Sequence, residues 1–232
     1  MTAPGRLIGH GRYTDVFDIG GGRVLRRYRD ASAAPRREPE VMAHARAHGV
    51  PVPAVLDACG SDIVMEYASG PTVFEDLTRR PWTVRYHARL LADLHARIHA
   101  VPALDWLRAP FGAGPAFLHT DLHPGNVIIT ADGPRVIDWQ GAAQGPAEAD
   151  LALTWVLVAS GHISGTVPQR AVGRAGQALF AHLYLAAAGP VAPCWLASAA
   201  RHRLKDQSIR ADEATRLRRL LRSHRGTDHL DR

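Results

Sequence analysis

An α+β fold in two lobes is predicted, with residues 1–67 as an antiparallel sheet carrying one helix and residues 68–232 as a mainly helical half. Three features of the sequence point to it. Short alternating runs separated by glycine turns crowd the N-terminal part, as in a β-meander. A polar loop followed by a strand–turn–strand pattern occupies Leu118–Trp139, LHTDLHPGNVIITADGPRVIDW. Longer runs with helical periodicity fill what comes after.

A chain of 232 residues suffices for one large domain or two lobes around a shared cleft. Its hydrophobic and charged fractions, 46% and 22%, are those of a globular protein, not of a disordered one. The net charge is +6 and rests almost wholly on arginine, since Lys205 is the sole lysine. No aromatic-interleaved basic motif accompanies it, so a phosphate-handling protein is favoured over a nucleic-acid binder. Cys59 and Cys194 are too few and too far apart for a disulfide framework or a zinc knuckle. A reducing compartment, hence the cytoplasm, is expected. MTAPGRLIGHGR has no apolar core, so no signal peptide is expected. The longest uncharged stretch, Ala175–Ala200, is broken by Gly189-Pro190 and Pro193 and reads as two buried helices, not a membrane span.

In chain order, Arg6–Gly9 and Thr14–Ile19 read as strands, Gly20-Gly21-Gly22 as a turn and Arg23–Tyr28 as a third strand. Ala33–His48 reads as a helix closed by Gly49. Pro39 biases Glu38 away from helical geometry, so the regular helix can equally start at Pro39. Pro53–Cys59 and Ile63–Glu66 read as two further strands about a Gly60-Ser61-Asp62 turn, and the chain then leaves the sheet through Val64–Pro71, a linker between the lobes. Trp82–Ala100 reads as a helix with Leu90, Leu91, Leu94 and Ile98 on its apolar face. His95 and His99 have metal-capable spacing, but no acid is organised around them in the sequence. Val101–Pro115 is irregular. Past the central stretch come an apolar helix over Leu151–Ser160, another over Val167–Ala188, and a basic helix over Arg201–Leu221 with a solvated charged face.

Within Leu118–Trp139, Val127–Thr130 and Val136-Ile137 are strand-like and flank an Ala-Asp-Gly-Pro turn. A hairpin there brings Asn126 back toward Asp138. A connection over Thr130–Pro134 sets them opposite each other on one face, whereas a shift of one residue separates them. In the first register two hard oxygen ligands face one another, which suits Mg²⁺, an ion that keeps several waters and takes other ligands from phosphates.

The run His119-Thr120-Asp121-Leu122-His123-Pro124-Gly125-Asn126, then Ile137-Asp138-Trp139 and Gly145-Pro146 with Asp150-Leu151-Ala152, resembles the aminoglycoside phosphotransferase/choline kinase-like family. Its matches stand at fixed offsets, and the likeness extends over roughly Leu7–Leu157. The resemblance implies a bilobal protein kinase-like fold that binds ATP and Mg²⁺ and passes a phosphoryl group to a small-molecule hydroxyl. It gives Asp121 the role of base and Asn126 and Asp138 that of metal ligands. His119 would brace the loop, and Asp150 would either cap a helix or anchor that loop. Gly9-x-Gly11-x-x-Thr14-x-Val16 is similar to a kinase glycine-rich loop, with Thr14 in place of the third glycine. Arg26 stands where a lysine is expected, with Glu38 (or Glu40, if Pro39 starts the helix) to orient it. The backbone of Glu66 and Ala68 would meet adenine.

Three other activities compete. A zinc hydrolase could use His119, Asp121 and His123. A kinase-like protein that binds nucleotide without turnover would fit the missing lysine. A protein kinase is disfavoured because no Ala-Pro-Glu or long activation segment follows Asp138. After residue 150 there are 12 basic residues and 5 acids. A polycationic acceptor would want the reverse, so an uncharged or anionic hydroxyl compound is at least as suitable.

Overall fold

The computed structural model describes residues 4–11, 13–30, 37–206 and 209–224. Strands β1 (Arg6–His10), β2 (Thr14–Gly20), β3 (Arg23–Tyr28), β4 (Val55–Cys59) and β5 (Asp62–Glu66) form one antiparallel sheet in the order β1-β2-β3-β5-β4. The tight β2–β3 turn requires its glycines, because Gly20, Gly21 and Gly22 all have left-handed φ values of 77°, 61° and 68°.

Helix α1 (Glu38–Ala47) lies between β3 and β4. It is shorter than Ala33–His48, and residues 33–36 lie outside the described part. Pro39 does not displace Glu38 from the helix. It occupies the first turn, where a missing N–H breaks no intrahelical bond. Beyond β5 the sequence pattern suggested only a linker, yet α2 (Val73–Arg79) forms there. A capping box starts it: Thr72 accepts the Glu75 N–H at 3.1 Å, and Glu75 accepts the Thr72 N–H at 2.8 Å. Helix α3 (Val84–His99) follows a 3₁₀ turn over Pro81–Thr83.

The second half opens with β6 (Ala116–Leu118), which pairs with β9 (Ala143–Gly145). Between them stands the hairpin of β7 (Val127–Thr130) and β8 (Gly133–Val136). Its register differs from the one expected. The connection is Ala131-Asp132, with Thr130 opposite Gly133 and Val127 opposite Val136. Asn126 therefore accepts the Ile137 N–H at 3.0 Å instead of facing Asp138. Asp138 leaves the strand through a left-handed conformation, φ 65°, and that turn carries its side chain to the site.

Four helices complete the chain: α4 (Ala147–Ser160), α5 (Val167–Ala188), α6 (Pro193–Arg203) and α7 (Ala211–His224). Helix α4 starts at Ala147, so Asp150 sits inside its first turn and does not cap it. Helix α5 is not the buried helix expected, since only Phe180, Ala181 and Tyr184 are buried along it. The single basic helix over Arg201–Leu221 is in fact split between α6 and α7. Nor is its charged face simply solvated: Arg216 donates to the Ser160 carbonyl at 2.9 and 2.6 Å.

One hydrophobic cluster runs from the sheet into the helical half. It joins Val24, Met42, Leu91, Ile98, Phe117 and Trp139. Trp139 is fully buried and stacks on Phe117 at 5.7 Å. A second cluster under α4, α6 and α7 contains Leu118, Leu153 and Leu217. Among the described residues no helix is long and apolar enough to cross a membrane.

Candidate active site

The loop between β6 and β7 is pinned from behind. Asp150 accepts the backbone N–H of His119 at 3.0 Å and that of Thr120 at 2.8 Å. His99 Nε2 lies 3.1 Å from the same carboxylate. Thr120 is held at φ 64°, strained for a β-branched residue, and its hydroxyl donates to the Gly141 carbonyl at 2.7 Å. Burial alone would raise the Asp150 carboxyl, but the hydrogen bond from His99 and the neighbouring His95, His99 and His119 hold it well below the usual range. The acid missing around His95 and His99 in the sequence is thus Asp150, brought in by α4.

His119 uses both ring nitrogens inside the loop. Its Nε2 faces the Ile137 carbonyl at 3.1 Å, which can only accept, so the proton sits on Nε2. Nδ1 then accepts the Asp121 N–H at 3.2 Å. No lone pair is left for a metal, which removes the zinc-hydrolase alternative. His123 Nδ1 accepts the Gly125 N–H at 3.0 Å and shapes the turn into β7.

Asn126 donates its amide hydrogens to the Asp121 carbonyl at 2.9 Å and to Asp121 Oδ2 at 3.1 Å. The amide orientation that this pattern selects leaves Oδ1 as a hard oxygen donor. Asp138 Oδ1 accepts from Arg26 at 2.9 Å and from Gln140 at 2.8 Å. Arg26 also donates to Glu38 Oε1 at 2.6 Å. Glu38 is fully occupied, for it accepts the Trp139 N–H at 3.1 Å and the Tyr28 hydroxyl at 2.5 Å. Desolvation alone would lower the Arg26 pKa, but Glu38 and Asp138 outweigh it and raise it, so the guanidinium stays charged. Glu40, the other candidate, instead pairs with Arg37 at the surface.

A cleft of about 580 Å³ gathers these groups. Gly11, Asp121, Asn126 and Asp138 line it. Arg26 and Glu38 stand behind Asp138, while His119 and Asp150 stand behind the loop. Asp121 retains 40% side-chain exposure at the cleft floor, yet protein atoms surround it on most sides. That desolvation raises its carboxyl, with His123 and His119 opposing. Gly11 commits its N–H to the Thr14 carbonyl at 2.8 Å, and Gly9 pairs with Val16 beside a β-bulge, outside the cleft wall. Glu66 and Ala68 are not brought into this cleft either. The Glu66 N–H goes to the Ala54 carbonyl at 2.8 Å, and its carboxylate to the Ala54 N–H at 3.1 Å.

A sequence model described as "Phosphotransferase enzyme family" matches residues 4–105 and 62–199. The chain belongs to this phosphotransferase family. A thiamine kinase of Salmonella paratyphi B is 44% identical over 39 residues, 17% of this chain and 14% of that protein, so the match spans about one seventh of the relative's length. Among solved structures, a thermostable mutant of aminoglycoside phosphotransferase APH(4)-Ia superposes with TM-score 0.66 at 16% identity, over 97% of this chain and 94% of that one. A choline/ethanolamine kinase family protein from Mesorhizobium loti gives TM-score 0.60 at 15% identity, covering 99% and 90%. The fold is thus the protein kinase-like fold of these phosphotransferases.

Several cleft residues of this family member escaped the sequence reading. Gln140 follows Trp139 with no motif of its own. Arg108 comes from the irregular segment before β6, His202 from the end of α6 and Lys205 from the turn after it. The Thr72-x-x-Glu75 box was a missed signal legible in the sequence.

Proposed function

We propose that this chain is an ATP- and Mg²⁺-dependent phosphotransferase that moves the γ-phosphate to a hydroxyl of a small molecule. The carrying observation is one cleft holding Asp121, Asn126 and Asp138, with Asn126 bonded to Asp121 at 3.1 Å. Residues 1–67 are taken as the nucleotide-binding lobe and 68–232 as the lobe of the catalytic loop and acceptor site. A solved relative, described as a streptomycin–ATP–APH(2")-IIa ternary complex, supports nucleotide use through the shared fold (TM-score 0.62, 14% identity).

Asp121 takes the proton of the acceptor hydroxyl, the acceptor oxygen bonds to the γ-phosphorus, and the bridging bond to the β-phosphate breaks to release ADP. Asn126 Oδ1 and the Asp138 carboxylate are the hard oxygens that would hold Mg²⁺, which when bound would neutralise phosphate charge. Arg26 supplies the fixed positive charge that a lysine supplies in kinases, and Glu38 orients it. His119 and Asp150 keep the loop in place.

One observation favours a second possibility, nucleotide binding without turnover: Arg26 is already shared between Glu38 and Asp138. An acceptor screen that reads ADP formation separates the two. Acceptor-dependent, Mg²⁺-dependent ADP release that is lost in Asp121→Ala is the expected result. Nucleotide binding with no acceptor-dependent turnover would favour the second.

A further inference from the structure

We infer that the acceptor carries an anionic group, a phosphate or carboxylate near the hydroxyl, and that Arg108 and Lys205 recognise it. The inference rests on the phosphotransferase function proposed above and names the substrate class of the same cleft.

The two ends of the cleft differ in charge. At the nucleotide end, the Asp138 charge is compensated by Arg26 at 2.9 Å. At the far end, the segment before β6 contributes Arg108, the last turn of α6 His202 and Arg203, and the turn after it Lys205, against one carboxylate, Asp206. Arg203 holds that carboxylate at 2.5 Å and Glu213 at 2.7 Å, so these three groups satisfy one another. Arg108 and Lys205 are exposed and meet no carboxylate within salt-bridge distance among the described residues. His202 is within electrostatic reach of both, with its ring 4.8 Å from that of Phe111. Burial, Lys205 and Arg108 together lower its pKa, so it stands as a neutral hydrogen-bonding group.

Among the described residues, the other acids beyond α4 are committed elsewhere. Asp212 binds His162 at 3.0 Å and Arg216 at 2.9 Å, and Glu213 is buried against Arg203. Among the described residues, the free charge at this end of the cleft is therefore positive. The apolar part of the lining comes from Leu153 and Leu157 of α4, which packs against α6. An ammonium-bearing acceptor would meet two cations with no uncommitted partner except Asp121, whereas a phosphate or carboxylate finds both cations unpaired.

The test measures binding with the nucleotide end filled by adenylyl imidodiphosphate and Mg²⁺, so that acceptor recognition is read apart from turnover. Matched hydroxyl compounds are compared: glycerol, glycerol 3-phosphate, glycerate and 3-amino-1,2-propanediol, and ribose with ribose 5-phosphate. Anionic members should bind more tightly than their neutral and aminated partners, and the phosphate and carboxylate arms show which anion is preferred. In Arg108→Gln and Lys205→Gln that binding should weaken about tenfold each, roughly 1.4 kcal/mol, with neutral members unaffected. Equal or tighter binding of neutral or aminated members, no binding of any anionic member, or unchanged affinity in both variants would overturn the proposal. Anion binding without ADP formation in the unmodified protein would instead count against phosphoryl transfer alone.

Discussion

Arg26 and Asp138, 112 residues apart in the chain, meet at 2.9 Å. The same guanidinium reaches Glu38 at 2.6 Å, so one cation joins sheet, helix α1 and the start of the β8–β9 loop. Arg26→Ala would leave the Glu38 carboxylate, whose side chain has no solvent exposure, without its main counter-charge. A loss of about 3–5 kcal/mol is expected, seen as a Tm drop on the order of 10 °C. Arg26→Lys keeps the charge but not the fork and should lose less. Equal Tm for Arg26→Ala and the parent would contradict the structural role.

Asp121 is expected to act only when ionised. Asp121→Ala should lower kcat by about 10²–10⁴ and leave nucleotide affinity unchanged. Because desolvation raises this carboxyl above its ordinary value, kcat/KM should fall on acidification at a pH above the usual aspartate range. The pH profile of kcat/KM shows whether that acid limb exists.

Asp150→Asn is predicted to loosen the catalytic loop from behind. The asparagine retains one carbonyl but turns an N–H₂ toward groups that already donate. Amide exchange at His119 and Thr120 should speed up, and turnover should fall about 100-fold through misplacement of Asp121. Unaltered exchange at both amides would refute the anchor.

Acid should weaken the fold through His95. Burial pushes its pKa down to about 3, against 6.5 for the free side chain, with Asp150 opposing. Between these values the unfolded chain binds a proton that the folded chain refuses. Stability is therefore full above pH 6.5 and falls as pH drops toward 3, by up to about 1.4 kcal/mol per unit from this group. Urea unfolding at pH 7 and pH 5 measures the slope, and His95→Gln should flatten it.

The parts of the site legible in the sequence were those whose chemistry lies in one contiguous run. His119 to Asn126 form a single loop, so residue type and spacing sufficed to mark them. Partners across the fold were harder. Arg26 with Glu38 could be paired only through the family resemblance, and Pro39 left Glu40 open. Nothing local tied His99 to Asp150, because 51 residues and a helix packing separate them. The hairpin register was misjudged because the sequence leaves the length of the connection open, two residues or five, and it does not show that Asp138 adopts a left-handed conformation. Once φ reverses at that residue, alternation along the strand no longer says which way its side chain points. Of the basic wall, Lys205 entered only through the bulk count after residue 150 and nothing local marked Arg108, until the fold set the segment before β6 beside the break after α6.

The hairpin has a consequence for how the chain tolerates change. Strand β7 is tied to the linker by the Ile129 N–H on Pro71, and β8 to the segment before β4 by the Val136 N–H on Pro51, each at 2.8 Å. Ala131 and Asp132 at the tip are exposed. Since each strand is moored on its own and Asp138 takes its direction from its own backbone, the tip is mechanically idle. Extra residues, an affinity tag or a fluorophore inserted there would hang in solvent while Asn126 and Asp138 keep their places.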